Sequence, residues 1–233
     1  MAILDVNEYI DNYNEISNSI NKDKIGKVKI LSVSKSHPVE ALVNAYKSGL
    51  RVFGENYVQE MVDKYDTVSE EMKKNIEWHF IGHLQTNKVK YIASFVNCIH
   101  SVYKLKLAKE IDKRAQENNR KIDLLLQVNT SGEESKSGCE PEEAESVIKS
   151  CLELENINFI GLMTISGLES NNEERREEFR LLRKVRDEIE SNLSIELPEL
   201  SMGMTSDYNE AIEEGATMIR IGTAIFGKRE YTK

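Results

Sequence analysis

A lysine behind a short apolar run is the first residue of this chain that suggests covalent chemistry. Lys35 follows Leu31 and Val33 at two-residue spacing, and a turn containing Pro38 comes directly after it. If the run is a strand, all three side chains face the same side. A lysine deprived of water there loses its proton more readily, and its neutral amine can attack an aldehyde. Taken alone, however, the segment favours an ordinary surface lysine at a strand end.

An arginine inside a second apolar run changes this balance. Arg220 lies in the stretch 218–221, with apolar residues on both sides. A guanidinium keeps its proton, so a buried arginine needs a hydrogen-bonding partner. The residue can be half of a structural pair with a buried acid, or it can be a donor directed at a ligand. Both interpretations stay open at this point.

Two turns that combine glycine with hydroxyl residues complete the set. The first contains Gly203, Thr205 and Ser206, and the second contains Gly222 and Thr223. Glycine lets a ligand approach the backbone closely, and hydroxyl and N–H groups are donors for a phosphate. The alternative is that Thr205 or Ser206 only caps the helix expected behind it. With the lysine and the arginine, these turns suggest an aldehyde that carries a phosphate, and pyridoxal phosphate is the obvious candidate.

Other residue types that often carry chemistry give weaker signals. His79 and His83 share one parity, but no neighbouring acid or cysteine completes a metal-ligand set, so we expect no metal. His79 is expected as a hydrogen-bonded residue of the core or rim. Lys136 lies in a polar loop and is expected to be solvated. No catalytic residue is assigned, because neither a Gly-x-Ser-x-Gly elbow nor a pair of carboxylates stands out.

The elements that must position these residues alternate between strand and helix. After an amphipathic helix at 5–22, the chain is predicted to form strands at 28–34, 52–53, 77–81, 96–102, 122–128, 157–164, 200–204 and 218–221. Helices are predicted at 38–47, 57–65, 86–93, 103–118, from 141, 171–192 and 206–214, with a last turn at 223–226. Eight such strands predict an α/β fold, a closed (β/α)8 TIM barrel with an extra N-terminal helix, forming a single domain over residues 1–233.

The alternative is an open doubly wound sheet, which lacks its usual G-x-G-x-x-G turn here. In a barrel, the active site lies at the carboxyl ends of the strands, and all the residues singled out above are expected there.

Composition narrows the class of protein. The chain has 233 residues and a net charge of −9, which argues against a nucleic-acid binder. No apolar run is long enough to span a membrane, and no secretion signal opens the chain. Its three cysteines, Cys98, Cys139 and Cys151, have no metal or disulfide spacing, so we expect reduced thiols and a cytoplasmic location. Because the sequence shows no obvious apolar patch, we expect a monomer.

From residue 33 onward the chain also resembles a known family, the pyridoxal phosphate homeostasis proteins. The similarity runs through VSK at 33–35, FGENYVQE at 53–60, WHFIGHLQTNK at 78–88, SKSG at 135–138, GLMTI at 161–165 and RIGTAIFG at 220–227. Strings of this length in this order are far more specific than any single short motif. One departure is Thr205, where the family usually has serine; the hydroxyl is retained, and Ser206 could take over its contact.

The resemblance implies a barrel like the N-terminal domain of alanine racemase, with the cofactor held as a Schiff base on Lys35. It places Arg220 near the pyridine nitrogen and Asn56 beside the ring. Around the phosphate it places three residues, Thr205, Gly222 and Thr223. It also implies a protein that binds and delivers the cofactor and acts on vitamin B6 and amino-acid pools without turnover. Apo forms of pyridoxal phosphate-dependent enzymes are the candidate recipients.

Two catalytic alternatives are weighed against this carrier. A fold-type III racemase or decarboxylase would use the same lysine. Arginine at the pyridine nitrogen weakens the ring as an electron sink, and the chain ends at Lys233 without residues for the domain that supplies a second acid or base. A Schiff-base aldolase usually carries its lysine on a central strand, whereas strand six ends here in Thr164.

Overall fold

Eight parallel strands close into a barrel, as predicted. The computed structural model describes residues 3–20, 27–133 and 136–228. Each strand pairs with the next along the chain, and the first pairs with the eighth, so the sheet has no open edge. The strands are β1 Lys29–Val33, β2 Val52–Glu55, β3 Glu77–Phe80, β4 Cys98–Val102, β5 Ile122–Gln127, β6 Ile157–Met163, β7 Glu199–Met204 and β8 Met218–Ile221. This closed order excludes the doubly wound alternative.

Helices cover the outside of the barrel and bury one face each. They are α1 Val6–Ser19, α2 Val39–Lys47, α3 Val58–Thr67, α4 Glu70–Asn75, α5 Leu105–Glu117, α6 Ala144–Cys151, α7 Asn172–Leu193, α8 Tyr208–Glu213 and α9 Thr223–Phe226. None of the helices in this part of the chain combines the length and the apolar composition that crossing a membrane requires.

The predicted N-terminal helix exists because its first turn is well capped. The side chain of Asp5 accepts hydrogen bonds from the N–H groups of Asn7 and Glu8, and the Glu8 carboxylate accepts from the Asp5 N–H. Tyr9 of α1 packs edge-on against Phe226 of α9, with ring centroids 5.4 Å apart. The helix therefore packs beside the end of the chain that closes the barrel. Residues 21 and 22 of the predicted helix lie outside the described residues.

Several predicted helix boundaries are wrong. The segment expected as a helix at 86–93 is a short 3₁₀ helix, Thr86–Tyr91, and the unpredicted α4 follows α3 before β3. Pro38 is the residue before α2 rather than part of its first turn. α8 begins at Tyr208, two residues later than predicted. Boundaries are the least constrained part of such a prediction, because the ends depend on local caps rather than on the apolar pattern.

The barrel interior contains polar side chains as well as apolar ones. Small apolar clusters include Leu31 with Met218, and Leu125 with Met163, apart from the main core between strands and helices. Side chains from strands that are not neighbours also meet: His100 of β4 lies 3.1 Å from the Ser201 hydroxyl of β7. Such a contact is possible only across the inside of the barrel.

Candidate functional site at the barrel mouth

A cavity of about 380 Å³ opens at the carboxyl ends of the strands. It lies where the active site of a TIM barrel is expected. It brings together all of the predicted site residues except Gly203, although these residues come from four separate parts of the chain. Its lining consists of Val33, Lys35, Asn56, Ile81, Ile165, Met204, Thr205, Ser206, Arg220, Gly222 and Thr223.

Gly203 has a different position from the one predicted. It is buried in β7, and a Cβ atom there would lie 2.6 Å from the Cβ of Ala211 in α8. Its φ of +90° is in the region that favours glycine, and the pairing of β7 with β8 shifts register between Ser201 and Met204. Gly203 therefore shapes the bend that brings Thr205 to the cavity, and it does not line the cavity itself.

The backbone on the N-terminal side of Lys35 is held from two directions. The ammonium of Lys64, on α3, donates a 2.7 Å hydrogen bond to the carbonyl of Ser34. The Ser34 hydroxyl donates a 2.6 Å hydrogen bond to the Glu55 carboxylate at the end of β2. Lys64 also forms an ion pair with Glu55 at 2.7 Å. Burial raises the pKa of Glu55 to about 7, and the nearby Lys64 opposes this rise.

The backbone on the other side of Lys35 is held by the same helix. Ser36 has a left-handed backbone (φ 61°), and its N–H donates a 2.6 Å hydrogen bond to the carboxylate of Glu60. Glu60 in turn pairs with Lys64 at 2.8 Å, one helical turn away. We call Glu55, Glu60 and Lys64 the lysine clamp, because they fix both neighbours of Lys35. The sequence analysis missed these residues; the only local signal is the i, i+4 spacing of Glu60 and Lys64.

Arg220 is buried without forming an ion pair within the described chain. One terminal nitrogen donates to the carbonyl and to the hydroxyl of Ser201, at 2.7 and 2.8 Å, and the other donates to the carbonyl of Thr164 at 2.8 Å. Burial lowers the pKa of Arg220 to about 10, and the charge of Asp207 opposes this change. The predicted alternative of a direct pair with a buried acid is therefore wrong.

The hydrogen-bond count of this guanidinium leaves donors for a ligand. Arginine has five N–H donors, and the contacts to Ser201 and Thr164 use three of them. The other two, including the N–H at Nε, have no protein acceptor among the described residues. Because Arg220 also lines the cavity, these donors are available to a molecule bound there.

The hydroxyl turn after β7 is not used as a helix cap. The residue before α8 is Asp207, and it forms no side-chain capping bond; its carboxylate instead accepts from the Met204 N–H at 2.6 Å and from the Ser166 hydroxyl at 2.5 Å. Thr205 and Ser206 remain exposed along the cavity wall. The capping alternative for these two hydroxyls is therefore wrong, and they can serve a ligand.

Asn56 places an unsatisfied acceptor beside the cavity. Its side-chain oxygen Oδ1 is buried and has no hydrogen-bond partner within the described chain. The backbone of Asn56 is fixed by close packing, because a Cβ on Gly82 would lie 2.0 Å from the Asn56 carbonyl oxygen. A buried acceptor without a partner costs free energy, so a ligand that donates to it would be stabilised.

A second cavity of about 270 Å³ adjoins the first and shares Asn56 and Ile81 with it. Lys136 lines this second cavity, and its ammonium donates to the carbonyl of Ser166 at 2.5 Å. The expectation that Lys136 is a solvated loop residue is therefore wrong. The motif residue Ser135 lies outside the described residues.

The histidines confirm one expectation and correct another. His79 is buried and hydrogen-bonded, as predicted, with its Nδ1 2.7 Å from the Nε2 of His100. His83 is exposed and contacts the Ser137 hydroxyl instead. The expectation that no acid or cysteine lies nearby is wrong, because the Glu77 carboxylate lies 2.8 Å from Nε2 of His79. In addition, ligand atoms of His79, Cys98 and His100 all lie within 4.8 Å of one another. A metal there would have to replace the bond between the two imidazoles.

Comparisons with a protein-family model and with solved structures support the barrel fold. Residues 4–230 match the family model of the alanine racemase N-terminal domain. Alanine racemase of Clostridium difficile 630 superposes with a TM-score of 0.78, at 17% identity, over 97% of this chain and 58% of that chain. At this identity the similarity describes the fold, and the racemase extends well beyond the shared barrel.

Closer relatives share most of their length with this chain. A pyridoxal phosphate homeostasis protein of Aquifex aeolicus is 49% identical over 87% of this chain and 88% of its own, and a human protein of that name is 37% identical over 88% and 78%. PipY of Synechococcus elongatus PCC7942, solved with pyridoxal phosphate bound, superposes with a TM-score of 0.83 at 32% identity, over 94% of this chain and all of that one. This chain belongs to the pyridoxal phosphate homeostasis protein family.

Proposed function

We propose that this protein binds pyridoxal 5'-phosphate at the barrel mouth, as a Schiff base on Lys35, and acts as a carrier or regulator in vitamin B6 homeostasis. The observation that carries the proposal is the cavity itself, which brings an amine, a buried guanidinium with two available donors and three hydroxyls together. The PipY structure supports the choice of ligand, because that relative was solved with pyridoxal phosphate.

The residues of the cavity fit four chemically distinct groups of this molecule. The Lys35 amine suits its aldehyde, and the lysine clamp fixes the backbone from which that amine projects. The N–H groups of Arg220 suit a pyridine nitrogen. The hydroxyls of Thr205, Ser206 and Thr223, with the open backbone at Gly222, suit a phosphate. The free acceptor of Asn56 suits the phenolic hydroxyl or an amine beside the ring.

Arg220 argues for holding the cofactor rather than for turnover. Bound pyridoxal phosphate supplies an aldehyde that reacts with amines and a ring that accepts electrons. The acceptance of electrons is strongest when the ring nitrogen is protonated. Arg220 is a donor that stays charged near neutral pH, so it pairs with a nitrogen that carries no proton. The names of the curated relatives agree with a homeostasis role.

Titration of the purified protein with pyridoxal phosphate tests binding at this site. We expect an absorbance change that saturates at one cofactor per chain for the wild type. Lys35→Ala should abolish the change in the visible band. Lys109→Ala, an exposed lysine of α5, is the matched control and should bind as the wild type does. Equal binding by the Lys35 variant would refute the assignment.

The runner-up function is a fold-type III racemase or decarboxylase, and solvent isotope exchange separates it from the carrier. Incubation of the loaded protein with single L-amino acids in deuterated water should give no catalytic exchange of the α-proton. Catalytic exchange, or release of carbon dioxide, would overturn the carrier proposal in favour of an enzyme.

The setting of the protein is part of the same proposal. We propose a single-domain, cytoplasmic monomer that delivers pyridoxal phosphate to apo forms of enzymes that need it. All three cysteines are free and buried, which suits a reducing compartment. Mixing the loaded protein with such an apo-enzyme and following its recovery of activity tests delivery, with free cofactor at the same concentration as the reference.

A further inference from the structure

A file of polar side chains runs through the barrel core from Arg220 to the opposite end of the sheet. Arg220 donates to the Ser201 hydroxyl at 2.8 Å, and this hydroxyl lies 3.1 Å from Nδ1 of His100. Nε2 of His100 lies 2.7 Å from Nδ1 of His79, and Nε2 of His79 lies 2.8 Å from the Glu77 carboxylate. Glu77 is at the start of β3, whereas Arg220 lies at the cavity, so the file spans the interior.

If both imidazoles are neutral and Glu77 is ionised, the direction of every hydrogen bond in this file is fixed. Arginine cannot accept a hydrogen bond, so the Ser201 oxygen accepts from Arg220, and its own proton can be donated to Nδ1 of His100. The proton of neutral His100 is then on Nε2 and is donated to Nδ1 of His79. His79 in turn carries its proton on Nε2 and donates it to Glu77, which can only accept when it is ionised. In this arrangement each imidazole donates one hydrogen bond from Nε2 and accepts one at Nδ1.

The surroundings of His100 favour its neutral form. Burial lowers the pKa of His100 well below its usual value, and the charges of Arg220 and Lys29 act in the same direction. At the far end, the Glu77 carboxylate also accepts a 3.0 Å hydrogen bond from Lys29 of β1. The file therefore ends on an ion pair that is half exposed to solvent.

We propose that Glu77, His79, His100 and Ser201 form a one-directional hydrogen-bond relay that positions the Arg220 guanidinium for the ligand of the cavity. The relay fixes the terminal nitrogen that bonds Ser201 and so leaves the two remaining N–H groups directed to the ligand. The identity of that ligand rests on the proposed function, whereas the relay itself is a property of the cofactor-free protein. These four are positioning residues, since none of them lines the cavity.

Ser201→Ala is the variant that cuts the relay at one atom. The Arg220 bond to the Ser201 carbonyl remains, and only the hydroxyl is lost. Ser101→Ala is the matched control, because Ser101 of β4 is also buried and its hydroxyl has no partner within the described chain. His79→Leu breaks the relay further from Arg220 and gives a second, independent cut.

Nitrogen-15 NMR of the cofactor-free protein near neutral pH tests the relay without any ligand. We expect both imidazoles to be neutral with the proton on Nε2, and the Arg220 guanidinium to rotate slowly about its Nε–Cζ bond. Ser201→Ala should speed that rotation and admit the other His100 tautomer, while Ser101→Ala changes neither. A protonated imidazole, the Nδ1–H tautomer in the wild type, or unchanged Arg220 rotation in Ser201→Ala would overturn the relay.

Affinity for pyridoxal phosphate tests the positioning. Loss of one hydrogen bond that orients Arg220 should raise the Kd of Ser201→Ala about three- to tenfold. The Kd of His79→Leu should also be higher than that of the wild type. An unchanged Kd in Ser201→Ala together with altered Arg220 rotation would overturn the positioning role. If the wild type binds no cofactor, the proposed function fails, and the NMR result still decides the relay.

Discussion

Three side chains of the cavity are held by different physical means. Lys35 is fixed through its backbone, because its neighbours Ser34 and Ser36 are bonded to the clamp. Arg220 is fixed through its own guanidinium, by three hydrogen bonds to neighbouring strands. Asn56 is fixed by close backbone packing, while its side-chain oxygen has no bond among the described residues. At the residue scale, each of the three residues is therefore held at the cavity by contacts of a different kind.

Asn56→Ala separates binding from stability. The buried oxygen without a partner costs the cofactor-free protein about 1–3 kcal/mol, so its removal should leave the free energy of unfolding unchanged or higher. Affinity for pyridoxal phosphate should fall about tenfold, because the ligand loses its acceptor. Urea unfolding without cofactor and a binding titration measure the two effects. A marked loss of stability in the cofactor-free variant would contradict this account of Asn56.

Glu77 makes stability depend on pH in the acid range. The hydrogen bond from His79 lowers the pKa of Glu77 to about 2, from 4.5. Between these values the unfolded chain binds the proton and the folded chain does not, so the stability is complete above about pH 4.5 and falls as the pH decreases towards 2.

Glu77→Gln should therefore make the loss of stability on acidification shallower over this range, as measured by urea unfolding at a series of pH values. Glu40→Gln, an exposed glutamate of α2, is the control and should keep the wild-type slope. An identical slope in Glu77→Gln and the wild type would rule out the low pKa.

At the element scale, α3 has a task beyond covering the barrel. It carries Glu60 and Lys64, which reach across to the β1 turn, while β2 supplies Glu55. The cost of burying these charges is offset only because each of them has a partner. The clamp thus links the placement of one helix to the geometry of the amine at Lys35.

Lys64→Met should destabilise the protein by about 3–5 kcal/mol, since it leaves the carboxylates of Glu55 and Glu60 without the cation that pairs with both of them. Lys73→Met is the control: it removes a surface pair with the exposed Glu70, which solvent screens, so it should destabilise the protein far less. Urea unfolding measures both. Equal effects of the two substitutions would contradict the clamp.

The predictable elements are those with a local pattern. The strands could be placed because short apolar runs alternate with segments of helical periodicity. Lys35, Asn56 and Arg220 could then be assigned to the same end of the barrel, because all three lie at the carboxyl ends of predicted strands. The clamp could not be predicted, because the Lys64–Ser34 contact joins residues 30 positions apart without any shared pattern. The role of Gly203 was also missed, since only the packed α8 shows that its backbone, rather than the cavity, requires glycine.

At the scale of the whole molecule, one barrel provides both a cavity and a connection across its core. Alanine racemase shares this barrel but has a longer chain, of which the barrel covers 58%. The names of the relatives point to cofactor homeostasis. The interior file from Arg220 to Glu77 holds the Arg220 guanidinium, a donor to the cavity, in a fixed orientation. Holding an aldehyde needs the amine and its surroundings; turnover needs a second acid or base as well.

Borohydride reduction of the protein loaded with pyridoxal phosphate, followed by peptide mapping, tests the central claim most directly. We predict a yellow protein that loses its visible band on reduction, with one pyridoxyl group per chain on the peptide that contains Lys35. Lys35→Ala should carry no label, and Lys109→Ala should be labelled as the wild type is. A label on another lysine, or a protein that stays colourless and unmodified, would contradict the account.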